Sequence, residues 1–277
     1  MELTGEEGEL SPDARLGRRI RGFRTARGLS LRGLSAAVTG YSHSYLGRVE
    51  LGKQPASAAL ITALDTYFET DGALAELHGL AQDALIARYS RNFVRKERDA
   101  VRIQVFTSSL IPGLLQTREY ATELFRTGLL APSQHQIEAR VEARMERQRI
   151  FERPDPPYYW AVIDEASLKR PTRDKAVMRR QLEHILQFAA HPRVTVQILP
   201  FDQGFHPMLG GSLTLLTSKD GRTDALVESF NSGDEGESPE RVISLAQRFD
   251  TARSLASPVH ESLELIRTYL KVFSDDS

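Results

Sequence analysis

One stretch, Gly40–Lys53, constrains the fold more than any other part of the chain. Ser42 is a good helix N-cap, because its hydroxyl can accept a hydrogen bond from an amide in the first turn of the following helix. Leu46 and Val49 lie three residues apart and are expected on the buried face of that helix. The opposite face carries His43, Ser44, Gly47 and Arg48. Because glycine favours a left-handed helix end, the stretch predicts a short helix, Ser42–Glu50, whose polar front fits a DNA major groove.

The residues just upstream predict a second short helix next to the first. Gly28-Leu29-Ser30 is expected to end one helix and to cap another, which continues to Val38. A tight turn over residues 39–41 then leads to Ser42. Two short helices joined by a small turn that contains glycine form a helix-turn-helix unit.

The charge of the chain is concentrated around this unit. Residues 15–53 hold nine Arg and Lys residues against Glu50 alone, a formal charge of +8, whereas the whole chain carries −1. Residues 1–14 carry −5, and residues 54–277 carry −4. A basic segment joined to an acidic body is the electrostatic footprint of a nucleic-acid-binding protein. A solvated basic helix is the alternative interpretation of the same charges.

From Leu16 to about Phe68 the chain resembles the XRE-type, phage-repressor-like helix-turn-helix regulators. The residues that carry the resemblance are Gly28, Leu29, Ser30, Leu34, Ser42, Leu46, Val49, Glu50 and Gly52. The resemblance implies that Arg24 pairs with Glu50. The sequence departs from the family pattern in two ways: the turn is one residue longer, and Leu31 occupies the position of a Gln that commonly contacts a phosphate.

Together these observations predict a set of DNA contacts. His43, Ser44 and Arg48 are expected to reach base edges, since Arg pairs well with guanine in the major groove. Arg19, Lys53 and the amide end of the helix at Ser30 are expected to hold phosphates. The full predicted DNA-binding set is Arg19, Ser30, Ser42, His43, Ser44, Tyr45, Arg48 and Lys53.

The chain changes character after residue 102, because apolar runs of strand length alternate with helical patterns. The predicted strands are Ile103–Phe106, Tyr158–Ile163, Val194–Leu199, Gly211–Thr217 and Ala225–Phe230. Two helices, Pro239–Ala256 and Pro258–Phe273, are expected to close the chain. About five strands mixed with helices predict an α+β (mixed α/β) domain behind an all-α helix-turn-helix domain.

This alternation divides the chain into four predicted segments. They are a disordered leader (1–13), a helix-turn-helix DNA-binding domain (14–85), a helical connector (86–102) and an α+β domain for sensing and dimerisation (103–277). The connector is dense in charge and is interpreted as a solvated helix. The closing helices carry Leu245, Phe249, Leu263, Ile266 and Leu270, which fit a dimer surface or core packing equally well.

The second half resembles a domain of unknown function that follows XRE-type domains in actinobacterial regulators. The motifs that carry this resemblance are Ile111–Thr117, Val141–Met145, Ala161–Ala166 and Val196–Phe201. The resemblance implies a transcriptional regulator, often encoded near a small acidic partner protein, and it implies no particular ligand.

Motifs for catalysis are absent from the sequence, which lacks a Walker loop, a GxGxxG, a GxSxG elbow and a metal-binding HExxH. No catalytic residue, cofactor or metal is therefore expected. The loop after the third predicted strand concentrates polar and aromatic groups, and loops at strand ends commonly carry binding residues. The predicted ligand pocket comprises Trp160, Asp202, Phe205, His206, Met208 and Glu228. An active site built on Asp202, His206 and Glu228 and a purely structural loop are the alternatives.

The sequence predicts a DNA-binding transcriptional regulator, acting as a homodimer, whose C-terminal domain senses a small ligand or a partner protein. The alternatives are an enzyme that retains a DNA-binding domain and a scaffold for dimerisation without a ligand. The chain has no cysteine, no apolar signal segment and no apolar run near the roughly 20 residues that a membrane span needs. A cytoplasmic location is therefore expected.

Overall fold

The N-terminal part of the chain folds into helices whose starts are set by serine caps. The computed structural model describes residues 11–86, 90–128, 132–229, 232–236 and 238–274. Its first helices are α1 (Pro12–Ala26), α2 (Leu31–Ala37), α3 (His43–Glu50), α4 (Ala58–Phe68) and α5 (Ala73–Leu85). The hydroxyls of Ser11, Ser30, Ser42 and Ser57 each accept a hydrogen bond from the amide three residues further on. The short capped helices expected around Ser30 and Ser42 are therefore present.

Two compact units divide the chain. The N-terminal unit comprises the described residues between 11 and 86, with those between 132 and 143. The C-terminal unit comprises the described residues between 90 and 128 and from 144 to 274. The predicted leader lies mostly outside the described residues, and the predicted boundaries at 85 and 102 stay predictions.

The core of the N-terminal unit is built from the apolar stripes of α1 to α5. Its buried members include Leu16, Ile20, Leu34, Leu46, Val49, Leu60, Leu64 and Leu74. Gly17 lets α1 approach the end of α3, because a Cβ at this position would overlap the carbonyl oxygens of Val49 and Glu50. The all-α class expected for this unit is confirmed.

The C-terminal unit contains a six-stranded mixed sheet. The strands are β1 (Arg102–Thr107), β2 (Tyr158–Asp164), β3 (Val194–Leu199), β4 (Ser212–Thr217), β5 (Thr223–Glu228) and β6 (Gly233–Gly236), in the order β3-β2-β1-β4-β5-β6. The first three are parallel to one another, and the other pairings are antiparallel. Gln104 of β1 lies opposite Trp160 of β2 and Leu215 of β4.

The remaining helices are α6 (Arg91–Glu97), α7 (Arg118–Gly128), α8 (Gln134–Gln148), α9 (Ala166–Lys169), α10 (Lys175–Phe188), α11 (Pro239–Leu255) and α12 (Val259–Val272). Buried side chains alternate between two apolar clusters along the strands, which places the clusters on opposite faces of the sheet. Phe249 of α11 packs in one cluster and Ile266 of α12 in the other. The α+β class expected for this unit is confirmed.

Two details of the sequence prediction need correction, and one pair of alternatives is narrowed. The sheet has a sixth strand, β6, which the sequence did not predict because Gly-Asp-Glu-Gly has no apolar alternation. Helix α6 is not a solvated connector, since Phe93, Val94 and Glu97 are buried. Of the two interpretations of the closing helices, core packing applies to Phe249 and Ile266, which are fully buried. In the described part of the chain, no helix is long and apolar enough to span a bilayer.

Candidate nucleic-acid interface and C-terminal cavity

The ends of α3 are defined by two local hydrogen-bonding devices. At the start, the hydroxyl of Ser42 accepts a hydrogen bond of 3.2 Å from the amide of Tyr45. At the end, the amides of Gly52 and Lys53 donate to the carbonyls of Val49 and Arg48, at 2.9 and 2.8 Å. Gly52 adopts a left-handed conformation with φ +64°, so this end is a Schellman motif. The helix is therefore confined to the residues that its sequence signals predicted.

A buried ion pair joins α1 to the last turn of α3. Arg24 donates from Nε and Nη2 to the two carboxylate oxygens of Glu50, at 2.6 and 2.8 Å, and from Nη1 to the carbonyl of Leu29 at 2.7 Å. The Glu50 carboxylate raises the pKa of Arg24 through its hydrogen bond. The pairing that the family resemblance implied is present.

The front of α3 is solvent-exposed and carries groups suited to read bases. His43, Ser44, Arg48 and the following Lys53 are all exposed. Arg48 donates from Nε to Oε1 of Gln54 at 2.7 Å and from Nη1 to the hydroxyl of Ser44 at 2.9 Å. These neutral acceptors hold the guanidinium across the front of the helix, and its Nη2 group makes no hydrogen bond within the described part of the chain. Sequence reasoning missed Gln54, which lies after the helix.

Tyr45 contributes to the framework of the unit more than to its surface. Its ring stacks on Tyr41 at 6.1 Å and is half-buried. Its hydroxyl donates to the carbonyl of Pro55 at 3.2 Å and accepts from the amide of Ser57 at 3.1 Å. Both hydrogen bonds anchor the loop between α3 and α4, and so the place of Tyr45 among the DNA-binding residues stays a prediction.

The residues predicted to hold phosphates lie on α1, at the capped start of α2 and just after α3. Ser30 caps α2 by accepting from the amide of Gly33 at 3.0 Å, and it is exposed. Arg19 lies on α1 with its guanidinium 4.7 Å above the ring of Phe23. Leu31, which replaces the expected Gln, packs against the core and lies 3.3 Å from where a Cβ on Gly47 would be. This position therefore supports α3 by packing.

The six residues of the predicted C-terminal pocket lie in different environments. Asp202 is exposed, and Phe205 is almost completely so at 96%. Trp160 donates from its indole nitrogen to Gln197 at 2.9 Å and lies under the guanidinium of Arg253. Glu228 lines a cavity on another part of the sheet, described below. Their assignment to one ligand site stays a prediction.

His206, with Met208, is buried and takes part in a hydrogen-bonded pair with the end of β2. Its Nε2 lies 3.1 Å from Oδ2 of Asp164, and its Nδ1 accepts from the amide of Met208 at 3.3 Å. An accepting Nδ1 requires the tautomer with hydrogen on Nε2, which then donates to the carboxylate. The other carboxylate oxygen of Asp164 accepts from the amide of Ala166 at 2.8 Å. These contacts fasten the loop after β3 to the sheet.

A cavity of about 640 Å³ lies in the C-terminal unit, over β1, β4 and β5. Volumes of a few hundred to about 1,000 Å³ are usual for small-molecule sites. Apolar walls come from Phe93, Ile103, Val105, Ile111, Leu124 and Leu226. Charged and polar groups also reach it: Glu97, Thr107, Gln116, Arg144, Arg147 and Glu228.

Two arginines one turn apart on α8 are used differently in this cavity. Arg147 donates from Nε and Nη2 to the two carboxylate oxygens of Glu97, at 2.9 Å each. Arg144 donates from Nη1 to the side-chain oxygen of Gln116 at 2.7 Å. The sequence did not assign either arginine to a site, because α8 is an amphipathic helix rich in Arg and Glu and nothing distinguishes these two from its other charged residues.

Comparisons with known proteins match both parts of the chain. Residues 90–268 match the family described as a domain of unknown function (DUF5753), and residues 15–77 match a helix-turn-helix domain. No curated protein and no solved structure matches the chain. The helix-turn-helix match supports a DNA-binding regulator.

Proposed function

We propose that the chain, which belongs to the DUF5753 family and carries a helix-turn-helix domain, is a sequence-specific transcriptional regulator whose C-terminal domain senses a small ligand or a partner protein. Two resemblances support this proposal. Residues 16–68 resemble XRE-type regulators, and the second half of the chain resembles a domain found in actinobacterial regulators. The observation that carries the proposal is the front of α3, capped at both ends and exposing His43, Ser44 and Arg48.

Reading of DNA follows from the chemistry of this front. Arg48 is positioned by Ser44 and Gln54 and keeps donors on Nη2 for the acceptor edge of guanine. His43 and Ser44 add shorter groups on the same face. Arg19, Lys53 and the capped start of α2 at Ser30 supply contacts to phosphates, which fix the register of the helix but carry no sequence information.

Dimerisation is part of the proposal because one helix-turn-helix unit reads only a few base pairs. Paired units on a near-palindrome, about one helical turn apart, give longer sites and higher affinity. Light scattering of the full chain tests this proposal. A dimer at micromolar concentration supports it, whereas a monomer that dimerises only on DNA would mean that the two subunits associate only when both are bound to the operator.

The experiment that tests the function is selection of binding sites from random double-stranded DNA by the full chain, followed by shift assays on the enriched sequence. We expect one enriched motif, and we expect Arg48→Ala to lose preference for it. Enrichment of no motif, or an identical motif with Arg48→Ala, would contradict the proposed role of α3. Lys271→Ala, on the exposed end of α12, is a matched control that removes a cation far along the chain.

A further inference from the structure

We propose that the cavity over β1, β4 and β5 binds a small organic acid with one carboxylate and an apolar body, and that Arg144 receives the carboxylate. This inference rests on the proposed function in one respect: the bound acid would be the ligand that the regulator senses. The binding step itself requires no DNA.

The hydrogen bonding of Arg144 supports this proposal. The guanidinium donates once, to the neutral amide oxygen of Gln116, and its face lies over the ring of Phe125 at 5.2 Å. In the described ranges, no carboxylate oxygen lies within 4 Å of it, whereas Arg147 one turn further has both oxygens of Glu97. A guanidinium carries a fork of donors matched to a carboxylate, so most of that fork is available to a ligand.

Arg144 is half-buried, and this partial burial makes a cation without an opposite charge unfavourable here. Burial, and next the charge of Arg147, lower the pKa of Arg144 to about 10, which leaves the group charged at neutral pH. A buried charge is stabilised chiefly by an opposite charge with good hydrogen bonds. A ligand carboxylate against Arg144 would supply both.

The other walls define the class of ligand. Apolar side chains from α6, β1 and β5 suit an apolar body. Glu97 and Glu228 also line the cavity, and Glu228 interacts with Arg144 through its charge. The two glutamates balance the charges of Arg144 and Arg147, so the cavity has no excess positive charge to hold a polyanion, and nucleotides and other polyphosphates fit poorly. A monocarboxylate is therefore favoured over a phosphate ester.

The test is calorimetric titration of the full chain with three probes of similar apolar body: octanoate and octanamide, with seven carbons beyond the head group, and octyl phosphate, with eight. We expect octanoate to bind about tenfold more tightly than octanamide, because a hydrogen bond to a charged group outweighs one between neutral groups. Octyl phosphate should bind more weakly than octanoate. Equal binding of octanoate and octanamide, preference for octyl phosphate, or binding of none of the probes would overturn the proposal.

Arg144→Gln adds a test at the level of the residue. The variant should lose the preference for octanoate and keep its affinity for octanamide. The control Arg179→Gln changes a partly exposed arginine paired with Glu183 and should behave as the unmodified chain. Retained preference in Arg144→Gln would overturn the assignment. If this variant fails to fold, the comparison of probes on the unmodified chain still decides.

Failure of this inference and failure of the proposed function are separable. A chain that selects a DNA motif but binds none of the probes contradicts the carboxylate site alone. A chain that binds octanoate through Arg144 and enriches no motif contradicts the regulator alone.

Discussion

The Arg24–Glu50 pair of the N-terminal unit and the Arg147–Glu97 pair of the C-terminal unit have the same two-pronged geometry and different surroundings. Arg24 also bonds the carbonyl of Leu29, and its side chain and that of Glu50 are only 12% and 4% exposed. Arg147 is 25% exposed and borders a cavity.

Two arginines without a carboxylate partner in the described residues sharpen this comparison. Arg48, exposed on α3, and Arg144, in the cavity, each bond to neutral oxygens. An arginine whose donors are used by a carboxylate stabilises the fold, whereas one held by neutral groups keeps donors for a ligand. We therefore propose that this difference in partners distinguishes structural arginines from binding ones in both units.

The largest effect is expected for Glu50→Ala. Removing this carboxylate leaves Arg24 charged in the core, and breaking a buried pair costs about 3–5 kcal/mol. Thermal melting of the full chain, with hydrogen exchange of α1 and α3, measures the loss. Glu69→Gln removes an exposed partner of Arg27 and should cost little. A Glu50→Ala chain as stable as Glu69→Gln would show that the pair is not structural.

Glu97→Ala should destabilise the C-terminal unit by about 3 kcal/mol, the lower end of the same range. The expected loss of stability is smaller because Arg147 is more exposed than Arg24, and water in the cavity can hydrate its unpaired guanidinium. Denaturant unfolding followed by the fluorescence of Trp160 measures it. An effect larger than that of Glu50→Ala would reverse the ranking of the two pairs.

Arg48→Ala should reduce discrimination between the best site and a site changed at one base pair by about 1–3 kcal/mol. Lys53→Ala should instead weaken all sites alike and lower the salt slope by about one. Shift assays at several salt concentrations separate the two. If Arg48→Ala behaves as Lys53→Ala does, Arg48 contacts phosphate rather than a base.

The smallest effect concerns pH and His184 of α10. Burial lowers the pKa of this histidine, and its Nε2 is a buried atom without a partner in the described residues. The folded state therefore favours the neutral ring, and its contribution to stability is present above the unfolded pKa of about 6.5 and is lost as pH falls below it. His184→Leu should reduce the fall in melting temperature between pH 7.5 and 5.5.

The matched control for this last experiment is His260→Gln, since His260 is strongly exposed. It should leave the pH dependence unchanged. A fall in melting temperature that is the same in His184→Leu as in the unmodified chain would show that other groups govern acid stability.

Local signals in the sequence determined the helices of the N-terminal unit and most of the sheet. Serine caps and Gly52 mark where α2 and α3 begin and end, because capping involves atoms only a few residues apart. The apolar runs of β1 to β3 were predicted because strands buried on both faces are apolar throughout, whereas β4 and β5 are only partly buried and have shorter apolar runs. Strand β6 has no such signal, since Gly-Asp-Glu-Gly carries no apolar side chain.

Apart from the Arg24–Glu50 pair, which the family resemblance implied, only the tertiary structure decided which polar residues meet. Thr107, Gln116, Arg144 and Glu228 come from four distant segments, and no spacing in the sequence marks them as neighbours. The sequence likewise did not mark Gly17, whose missing side chain leaves room for the end of α3, or Gln54, which accepts a hydrogen bond from Arg48. Caps and periodicity report contacts within a few residues of the chain, whereas burial and ion pairing depend on which surfaces the fold brings together.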